Sequence, residues 1–343
     1  MKIHIKGYLA KNLGDDLFIK ILTERYKKHK FYAISYGYKY NNFNNLKVYS
    51  NRFVYRVIRK LKIEKYLANK CDLTLTIGGS IYMELNDKDK YRDFKLGNNK
   101  HYILGCNFGP YKTKEYFYNV KDAFKNVEDV CFREKYSYEL FKDLNNVRYA
   151  PDIVFSIDKN RVKLTNRKKA IISVISCQYK FGGKYTNEYE NKMVEIIEFL
   201  IGKGYEICLM SFCKKEGDEE TIKSILNKCN YDMTNNIETY YYRGNLDEAL
   251  NIIGDCSLVV GARFHSVVLG MALEKPVIPV IYSDKTKHLL EDMNINLKTI
   301  DIKKIESFDI NSITQEDLEK IIDVKKQKRE SEKHFEKLDK ILK

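Results

Sequence analysis

This sequence of 343 residues contains no tryptophan, only four prolines and no long run of apolar residues. A helix that crosses a bilayer needs about 20 consecutive apolar residues, and no stretch approaches that length. Residues 1–7 are too short and too mixed in polarity to act as a secretory leader. We therefore expect a cytoplasmic protein.

The eight cysteines stand singly, and none forms a Cys-x-x-Cys pair or joins histidines in a ligand cluster. This spacing indicates neither a structural zinc site nor a disulfide framework. Most of the cysteines lie in apolar, strand-like runs, as buried thiols of a reduced compartment do. We expect no bound metal and no cofactor.

The chain has 61 lysines and arginines against 47 aspartates and glutamates, which gives a net charge of +14. A basic surface favours anionic partners such as nucleic acid, acidic lipid or phosphorylated substrates. No RNA-recognition, helix-turn-helix or zinc-finger pattern is present, so we expect no nucleic-acid partner. Peripheral contact with the anionic inner face of a membrane is the better hypothesis. Part of the excess can also reflect the lysine, asparagine and tyrosine bias of an AT-rich genome.

Through the first half of the chain, apolar runs of strand length alternate with segments of helical periodicity. The predicted strands are 2–6, 31–35, 73–77, 102–106 and 130–132, and the predicted helices are 15–28, 53–68, 115–126 and 134–143. Turn residues follow the strands. Alternation of this kind predicts a parallel sheet with right-handed crossover helices.

A polar and basic stretch at 151–169 interrupts this pattern, and we place a linker there. The alternation then restarts with predicted strands at 170–175, 205–210, 256–260 and 276–281, and helices at 188–201, 218–228, 246–253 and 285–293. We predict an α/β protein with two Rossmann-like parallel-sheet domains, 1–155 and 166–312, that face a cleft. Such a cleft suits a transferase that excludes water while it joins two substrates.

The C-terminal segment 313–343 is predicted as a helix that begins with Thr314 as N-cap and an acidic residue three positions later. It could run to Leu342 and return to brace the first domain. Its alternative is a solvated, charged tail.

An arginine and a histidine stand two residues apart in the segment 261–266. The segment follows a predicted strand and precedes an apolar stretch that can begin a helix, so Arg263 and His265 are expected where a parallel strand ends. Ligands bind at this edge of open α/β sheets. A guanidinium can bind a carboxylate or phosphate, and an imidazole can transfer a proton near neutral pH. The alternative is a surface arginine beside a histidine that caps a helix; we favour catalysis.

Gly78, Gly79 and Ser80 end another predicted strand. Small residues let a ligand approach the backbone, whose N–H groups can hold a phosphate; a tight turn is the alternative. Glu84, just beyond, is a candidate base on the acceptor side. By contrast, the first strand–helix turn at 7–16 has neither a G-x-G-x-x-G fingerprint nor a P-loop, which argues against nucleotide phosphate binding there.

Several short motifs occur in an order that resembles a known family. They are Asn12-Leu-Gly-Asp, Ile77-Gly-Gly-Ser, Phe108-Gly-Pro, Arg133-Glu-Lys-Tyr-Ser, Pro151-Asp-Ile, Gly261-Ala-Arg-Phe-His-Ser, Leu269-Gly-Met-Ala-Leu-Glu-Lys-Pro-Val and Tyr282-Ser-Asp-Lys. Together they resemble the polysaccharide pyruvyl transferases. The first loop departs from the family pattern, because Asp16 replaces the usual glutamate and a glycine usual midway is missing.

The resemblance implies a GT-B-like fold and transfer of pyruvate from phosphoenolpyruvate, as a cyclic ketal, to a hexose of a polysaccharide or lipid-linked oligosaccharide. Arg263 is implied to bind the donor. The family comparison gives His265 a substrate-binding or acid–base role, and we choose His265 as the proton carrier, since each step of ketal formation needs one.

The resemblance also implies that Arg133 is a second cation near the donor; an equal alternative is that Arg133 pairs with Glu134 or caps the end of a strand. Gly78, Gly79 and Ser80 are implied to lie at the substrate site. Asn12 and Asp15 match the family's first motif, although Asp15 as a helix N-cap is slightly favoured.

Two other functions stay open at this point. One is a nucleotide-sugar glycosyltransferase of the GT-B shape, for example a sialyltransferase-like enzyme, since the fold alone does not fix function. The other is a non-catalytic module that binds nucleic acid or membranes through its charge, with an affinity that falls steeply with salt.

Overall fold

The computed structural model describes residues 1–35, 37–50, 63–89, 94, 99–165 and 167–343. The chain divides into two compact units. The first comprises Met1–Ala10, Asp15–Ser156 and Gln327–Lys343, and the second comprises Lys11–Gly14 and Ile157–Lys326. The main division, after Ser156, falls inside the polar stretch 151–169.

The first unit contains a parallel sheet of seven strands. In chain order they are Lys2–Lys6 (β1), Lys30–Ile34 (β2), Leu46–Tyr49 (β3), Leu73–Ile77 (β4), Lys100–Cys106 (β5), Asp129–Phe132 (β6) and Val147–Tyr149 (β7). Their order in the sheet is β3-β2-β1-β4-β5-β6-β7. The chain builds outward from β1 and then returns to place β4 on the other side of β1. This reversal creates a switch point between β1 and β4, where doubly wound sheets bind ligands.

Among the residues of the first unit that the structure describes, four α-helices lie between these strands. They are Leu13–Arg25 (α1), Ile63–Asn69 (α2), Lys114–Lys125 (α3) and Lys135–Phe141 (α4). Helix α3 begins at the N-cap Thr113, whose side chain accepts a hydrogen bond from the Tyr116 N–H, and it buries Tyr116, Val120 and Phe124 at a spacing of four. Apolar residues at that spacing form one helical face, which here packs into an aromatic core. Of the predicted helix 53–68, residues 53–62 lie outside the described residues.

The second unit contains a parallel sheet of six strands. In chain order they are Lys169–Ser173 (β8), Glu206–Ser211 (β9), Ile237–Tyr241 (β10), Leu258–Gly261 (β11), Val277–Ile281 (β12) and Ile300–Asp301 (β13). Their order is β10-β9-β8-β11-β12-β13. The switch point of this sheet lies between β8 and β11. The predicted class, two Rossmann-like parallel-sheet domains, is confirmed.

The α-helices of the second unit are mostly crossover helices between these strands. They are Cys177–Phe181 (α5), Thr186–Gly202 (α6), Asp218–Lys228 (α7), Tyr231–Thr234 (α8), Leu246–Gly254 (α9), Phe264–Ala272 (α10), Asp284–Met293 (α11) and Gln315–Glu319 (α12). Helix α6 shows how the sequence determines the packing. Its buried apolar residues recur at helical spacing on one face, and all of them join the apolar core: Tyr189, Met193, Ile196, Ile197 and Leu200.

The C-terminal segment is several short helices, and the prediction of one helix to Leu342 is wrong. The capping box at Thr314 is present and begins α12, which ends at Glu319. Ile322 and Val324 are then buried while their neighbours Ile321 and Asp323 are exposed, an alternation typical of extended chain. Helices Lys325–Ser331 (α13) and Glu336–Leu342 (α14) follow.

Residues Gln327–Lys343 belong to the first unit and are fastened to it by polar contacts. Arg25 of α1 donates two hydrogen bonds to the carboxylate of Asp339, at 3.0 and 2.6 Å. The Nε2 atom of His334 lies 2.9 Å from the carbonyl oxygen of Pro151, in the loop after β7. The C-terminal segment therefore braces the loop that carries Asp152.

All eight cysteines are free thiols, and seven of them are buried. Within the described ranges, no helix combines the length and the apolar character needed to cross a bilayer.

Three histidines of the first unit are almost completely buried: His4, His101 and His334. Burial disfavours the protonated ring, and neighbouring cations add to the effect, so that the pKa falls to about 4 for His4 and to about 3 for His101 and His334. These rings are neutral in the folded protein at neutral pH.

We predict that the free energy of unfolding falls as the pH drops below about 6.5, because the unfolded state then binds protons that these folded histidines reject. Each such histidine contributes a slope of about 1.4 kcal/mol per pH unit. The variant His101→Gln should lose one such contribution. Denaturant unfolding between about pH 7 and pH 5, above the range in which ordinary carboxylates titrate, measures the slope. An unchanged slope in His101→Gln would contradict the assignment.

Candidate functional site

The charged side chains of the second unit gather where its central strands end. Lys180 of α5 follows β8, Glu216 and Asp218 follow β9, Arg263 and His265 follow β11, and Tyr282 and Lys285 follow β12. Because the strands are parallel, their carboxyl ends share one edge of the sheet, and that edge includes the switch point between β8 and β11.

Two serines hold the turn that carries Arg263. The Ser173 hydroxyl, at the end of β8, accepts hydrogen bonds from the backbone N–H groups of Ala262 at 3.1 Å and Arg263 at 3.2 Å. It also lies 2.6 Å from the hydroxyl of Ser266, which donates to the Arg263 carbonyl at 2.6 Å. The small polar residues of the motif therefore fix the backbone from which Arg263 and His265 project.

The Arg263 guanidinium is buried and paired with two carboxylates. Its Nε donates to Asp218 at 3.1 Å, and its two terminal nitrogens donate to Asp218 and Glu216. Although burial opposes ionisation, these carboxylates raise the pKa of Arg263 above its ordinary value, so the guanidinium stays charged. The prediction that Arg263 binds the donor directly stays a prediction, and the structure adds that its charge acts from within a buried network.

Asp218 also fixes the loop after β9. Its Oδ2 accepts the backbone N–H groups of Phe212 and Cys213, both at 2.9 Å. The residue stands at the first position of α7, where a carboxylate interacts favourably with the helix dipole. One side chain thus joins the end of β9, the start of α7 and the guanidinium of Arg263.

Lys180 extends the network toward solvent. Its ammonium group lies 2.6 Å from Glu216 Oε2, the atom that also accepts from Arg263. Burial opposes the charge of Glu216, but Arg263 and Lys180 lower its pKa to about 2. The charges of Arg263, Lys180, Glu216 and Asp218 balance, and the Lys180 side chain is 20% exposed. It can therefore meet a ligand.

Tyr282 directly follows β12 and lies near two ammonium groups. The Nζ atoms of Lys180 and Lys285 lie 5.6 and 5.0 Å from the centre of its ring. Burial raises the pKa of its phenol, but Lys285, Lys180 and Arg263 outweigh burial and lower it to about 8. Tyr282 and Lys285 both belong to the sequence motif Tyr282-Ser-Asp-Lys, yet the sequence analysis gave neither residue a role.

His265 lies against the N-terminal loop segment Lys11–Gly14, which belongs to the second unit. A Cβ atom at Gly14 would lie 1.9 Å from Nδ1 of His265, so only glycine leaves room for the ring. The Gly14 N–H donates to the side chain of Asn12 at 3.1 Å, and the Leu13 N–H donates to the Phe212 carbonyl at 3.0 Å. The motif at residue 12 and the motif at residue 261 therefore form one site.

Arg133 of the first unit is likewise buried beside a carboxylate. Its guanidinium donates to Asp152 at 3.1 Å and to the Asn107 side chain at 2.8 Å. A Cβ atom at Gly79 would lie 2.4 Å from its Cζ, so this glycine permits the guanidinium to press on the backbone. Asp152 was not predicted as a site residue, although its motif Pro151-Asp-Ile carried the signal.

Gly78 and Ser80 lie at the same edge of the first sheet. Ser80 donates to Asn107 Oδ1 at 3.2 Å, the atom that also accepts from Arg133. A Cβ atom at Gly78 would lie 3.2 Å from Asp15 Oδ1, which places Asp15 beside this loop. Asp15 is inside α1 rather than at its N-cap, and Asn12 occupies the capping position instead. The N-cap interpretation of Asp15 is therefore wrong.

Glu84 fastens a neighbouring loop. Its buried carboxylate accepts hydrogen bonds from the N–H of Lys112 and from both the N–H and the hydroxyl of Thr113. Burial alone would raise its pKa, but these donors lower it. A carboxylate engaged in this way anchors the loop and is a poor candidate for a base.

The structure thus forms two groups of predicted residues. His265, Arg263 and Asn12 belong to the second unit, whereas Arg133, Gly78, Gly79, Ser80 and Asp15 belong to the first. Across the described residues, no three acidic, histidine or cysteine side chains are arranged to hold a metal ion. The second-sheet edge offers cations for an anionic ligand together with two groups, His265 and Tyr282, that can transfer protons.

We predict that Asp218→Asn lowers the free energy of unfolding by about 3–5 kcal/mol, because it leaves the buried Arg263 with one fewer charged partner. The matched control is Glu206→Gln in the same unit. It removes an ion pair to Arg167 that is largely exposed, since the side chains of Arg167 and Glu206 are 55% and 56% exposed. That change should cost less than about 1 kcal/mol. Denaturant unfolding measures both, and equal costs would contradict the buried network.

Comparison with known proteins identifies the family of this chain. The model of the polysaccharide pyruvyl transferase family matches residues 12–284. The amylovoran biosynthesis protein AmsJ of Erwinia amylovora is 19% identical over 264 residues. That match covers 68% of this chain but 62% of AmsJ, so the chain spans about six-tenths of the length of that relative.

Solved structures share the fold at very low identity. HepE of Anabaena in complex with UDP-glucose has a TM-score of 0.59 at 9% identity, with 98% of this chain and 96% of that chain covered. The UDP-GlcNAc 2-epimerase of Methanocaldococcus jannaschii, in complex with UDP-GlcNAc and UDP, has a TM-score of 0.56 at 10% identity, with 96% and 98% covered. These similarities support the GT-B-like fold alone.

The family model spans most of the chain and includes every predicted site residue, from Asn12 to His265, so the chain belongs to the polysaccharide pyruvyl transferase family.

Proposed function

We propose that this protein transfers pyruvate from phosphoenolpyruvate to a hexose of a polysaccharide or lipid-linked precursor, where it forms a cyclic ketal. The observation that carries the proposal is the gathering of Arg263, Lys180, Lys285 and His265 at the edge of the second sheet. In a member of this family, that edge is the natural site for a small, strongly anionic donor.

The cations at this edge suit the two anionic groups of phosphoenolpyruvate. Lys180 and Lys285 place ammonium groups within 5.6 Å of the Tyr282 ring centre, and charge-assisted hydrogen bonds to a carboxylate or phosphate are strong. Arg263 contributes its charge from the buried side and holds Lys180 in place through Glu216. We therefore propose that the donor binds beside Lys180 and Lys285, where its carboxylate and phosphate can accept charge-assisted hydrogen bonds.

His265 is the proton carrier in this proposal. Ketal formation begins when a proton reaches the methylene carbon of the donor, because positive charge then develops on the adjacent carbon. A sugar hydroxyl attacks that carbon, phosphate leaves with the C–O electron pair, and a second hydroxyl closes the ring. The two hydroxyls lose two protons, of which one ends on the methyl group and the other on phosphate. General acid–base help of this kind is worth roughly 10²–10⁴ in rate.

The loop Gly78–Ser80 is the proposed second substrate-binding element, with Asp15 beside it. Arg133 supports this loop, since its guanidinium lies against Gly79 and shares Asn107 with Ser80. The net charge of +14 is also consistent with a lipid-linked acceptor at the inner face of an anionic membrane. A protein that ignores anionic vesicles at low salt would rule out that contact.

We predict that His265→Ala lowers kcat by roughly 10²-fold or more with little change in donor affinity, because it removes the proton carrier. Arg263→Ala should mainly weaken binding of phosphoenolpyruvate, because it removes a positive charge and leaves Glu216 paired with Lys180 alone, so that this carboxylate competes with the donor for the ammonium group. Phosphate release from phosphoenolpyruvate in the presence of a panel of hexose glycosides measures kcat and the KM for phosphoenolpyruvate.

The control for His265→Ala is His288→Ala, which changes a half-buried histidine on α11. Thermal unfolding of Arg263→Ala separates loss of binding from loss of fold. Wild-type kcat in His265→Ala would overturn the proton-carrier assignment. Tight binding of a sugar nucleotide, without binding of phosphoenolpyruvate, would instead select a glycosyltransferase.

A further inference from the structure

The environment of Tyr282 is unusual for a tyrosine that is only half-buried. It follows β12 immediately, and ammonium groups from two different elements, Lys180 of α5 and Lys285 of α11, lie 5.6 and 5.0 Å from the centre of its ring. Lys285 also lies 5.6 Å from the ring of Phe264, the neighbour of His265 in sequence. Tyr282 therefore stands at the same edge as the proposed donor site.

We propose that Tyr282 is a second catalytic residue, whose phenolate takes the proton from the acceptor hydroxyl that attacks the donor carbon. This inference rests on the proposed function. In the step, the hydroxyl O–H bond breaks and its proton moves to the phenolate oxygen, while the hydroxyl oxygen forms a bond to the donor carbon. The phenol can then pass this proton to the departing phosphate, which restores the phenolate without another reactant.

Geometry and charge support this role together. Two ammonium groups and the Arg263 guanidinium favour the negative phenolate, whereas the carboxylates of Glu216 and Asp218 are paired with Lys180 and Arg263. The result is a phenol with a pKa of about 8, so that an appreciable fraction is ionised near neutral pH. A general base works best when its pKa lies close to the working pH.

The arrangement also separates the two proton transfers. His265 lies in the segment after β11 and packs against Gly14, whereas Tyr282 lies after the neighbouring strand β12. One group that gives a proton and another that takes one can thus serve the donor and the acceptor in the same step.

The test compares Tyr282→Phe with Tyr179→Phe. The substitution at position 282 keeps an aromatic ring beside the two lysines and removes only the hydroxyl. Tyr179 is the matched control, because Lys180 lies 5.0 Å from its ring as well, but its side chain is exposed and the proposal gives its hydroxyl no proton to transfer. We expect Tyr282→Phe to lower kcat by about 10²-fold or more at unchanged KM for phosphoenolpyruvate, and Tyr179→Phe to leave both constants unchanged.

Two readouts do not depend on the size of the rate loss. The wild-type protein without substrate should show one tyrosine that ionises near pH 8 in its ultraviolet difference spectrum, and Tyr282→Phe should lack it. The rise of kcat with pH through that region should disappear in Tyr282→Phe. In a protein with 3-fluorotyrosine at position 282, whose phenol is more acidic, the rise should move to lower pH.

The outcomes distinguish the two proposals. Full kcat in Tyr282→Phe, or no tyrosine that ionises below the ordinary range, overturns the role of Tyr282 while the proposed function stands. A wild-type protein that releases no phosphate with any glycoside overturns the proposed function and this inference with it. If Tyr282→Phe does not fold, the fluorotyrosine protein decides, and an unshifted pH profile overturns the role.

Discussion

The pairing of Arg263 with Asp218 and Glu216 organises the whole edge of the second sheet. Asp218 ties the guanidinium to the backbone after β9, Ser173 ties the arginine backbone to the end of β8, and Glu216 passes the contact on to Lys180. Breaking a buried pair of this kind leaves an uncompensated charge in a low-dielectric interior, which costs far more than an exposed pair contributes. The network therefore fixes the positions of the groups that can meet a ligand.

The first unit uses a similar construction at the edge of its own sheet. Arg133 pairs with Asp152 and lies against Gly79 in the loop after β4. In the second unit, Arg263 pairs with Asp218 in the same way, in the turn after β11. In both units a buried arginine supports a loop at or beside the switch point of the strand order. The arginines that resemble donor ligands in sequence thus also have a supporting role, and our proposals assign the direct contacts with substrate to Lys180, Lys285, His265 and Tyr282.

Much of the fold could be predicted from the sequence, because the central strands are short apolar runs with clear turn residues. The strands that the prediction missed, β3, β7, β10 and β13, are the four edge strands of the two sheets. An edge strand is partly exposed, so it has little apolar signal; β10 reads Ile-Glu-Thr-Tyr-Tyr and none of its residues is buried.

The site was predictable only in part, for a related reason. Arg263 and His265 were found because their motif is contiguous, but Asp218 lies 45 residues from Arg263 and Gly14 is remote from His265, and only the folded chain reveals such pairs. The claim that the second-sheet edge binds the donor is tested most directly by hydrogen–deuterium exchange of the intact protein with and without phosphoenolpyruvate. The account predicts protection of the backbone amides in α5 and in the turns after β11 and β12, whereas no protection there, or protection confined to other segments, would contradict it.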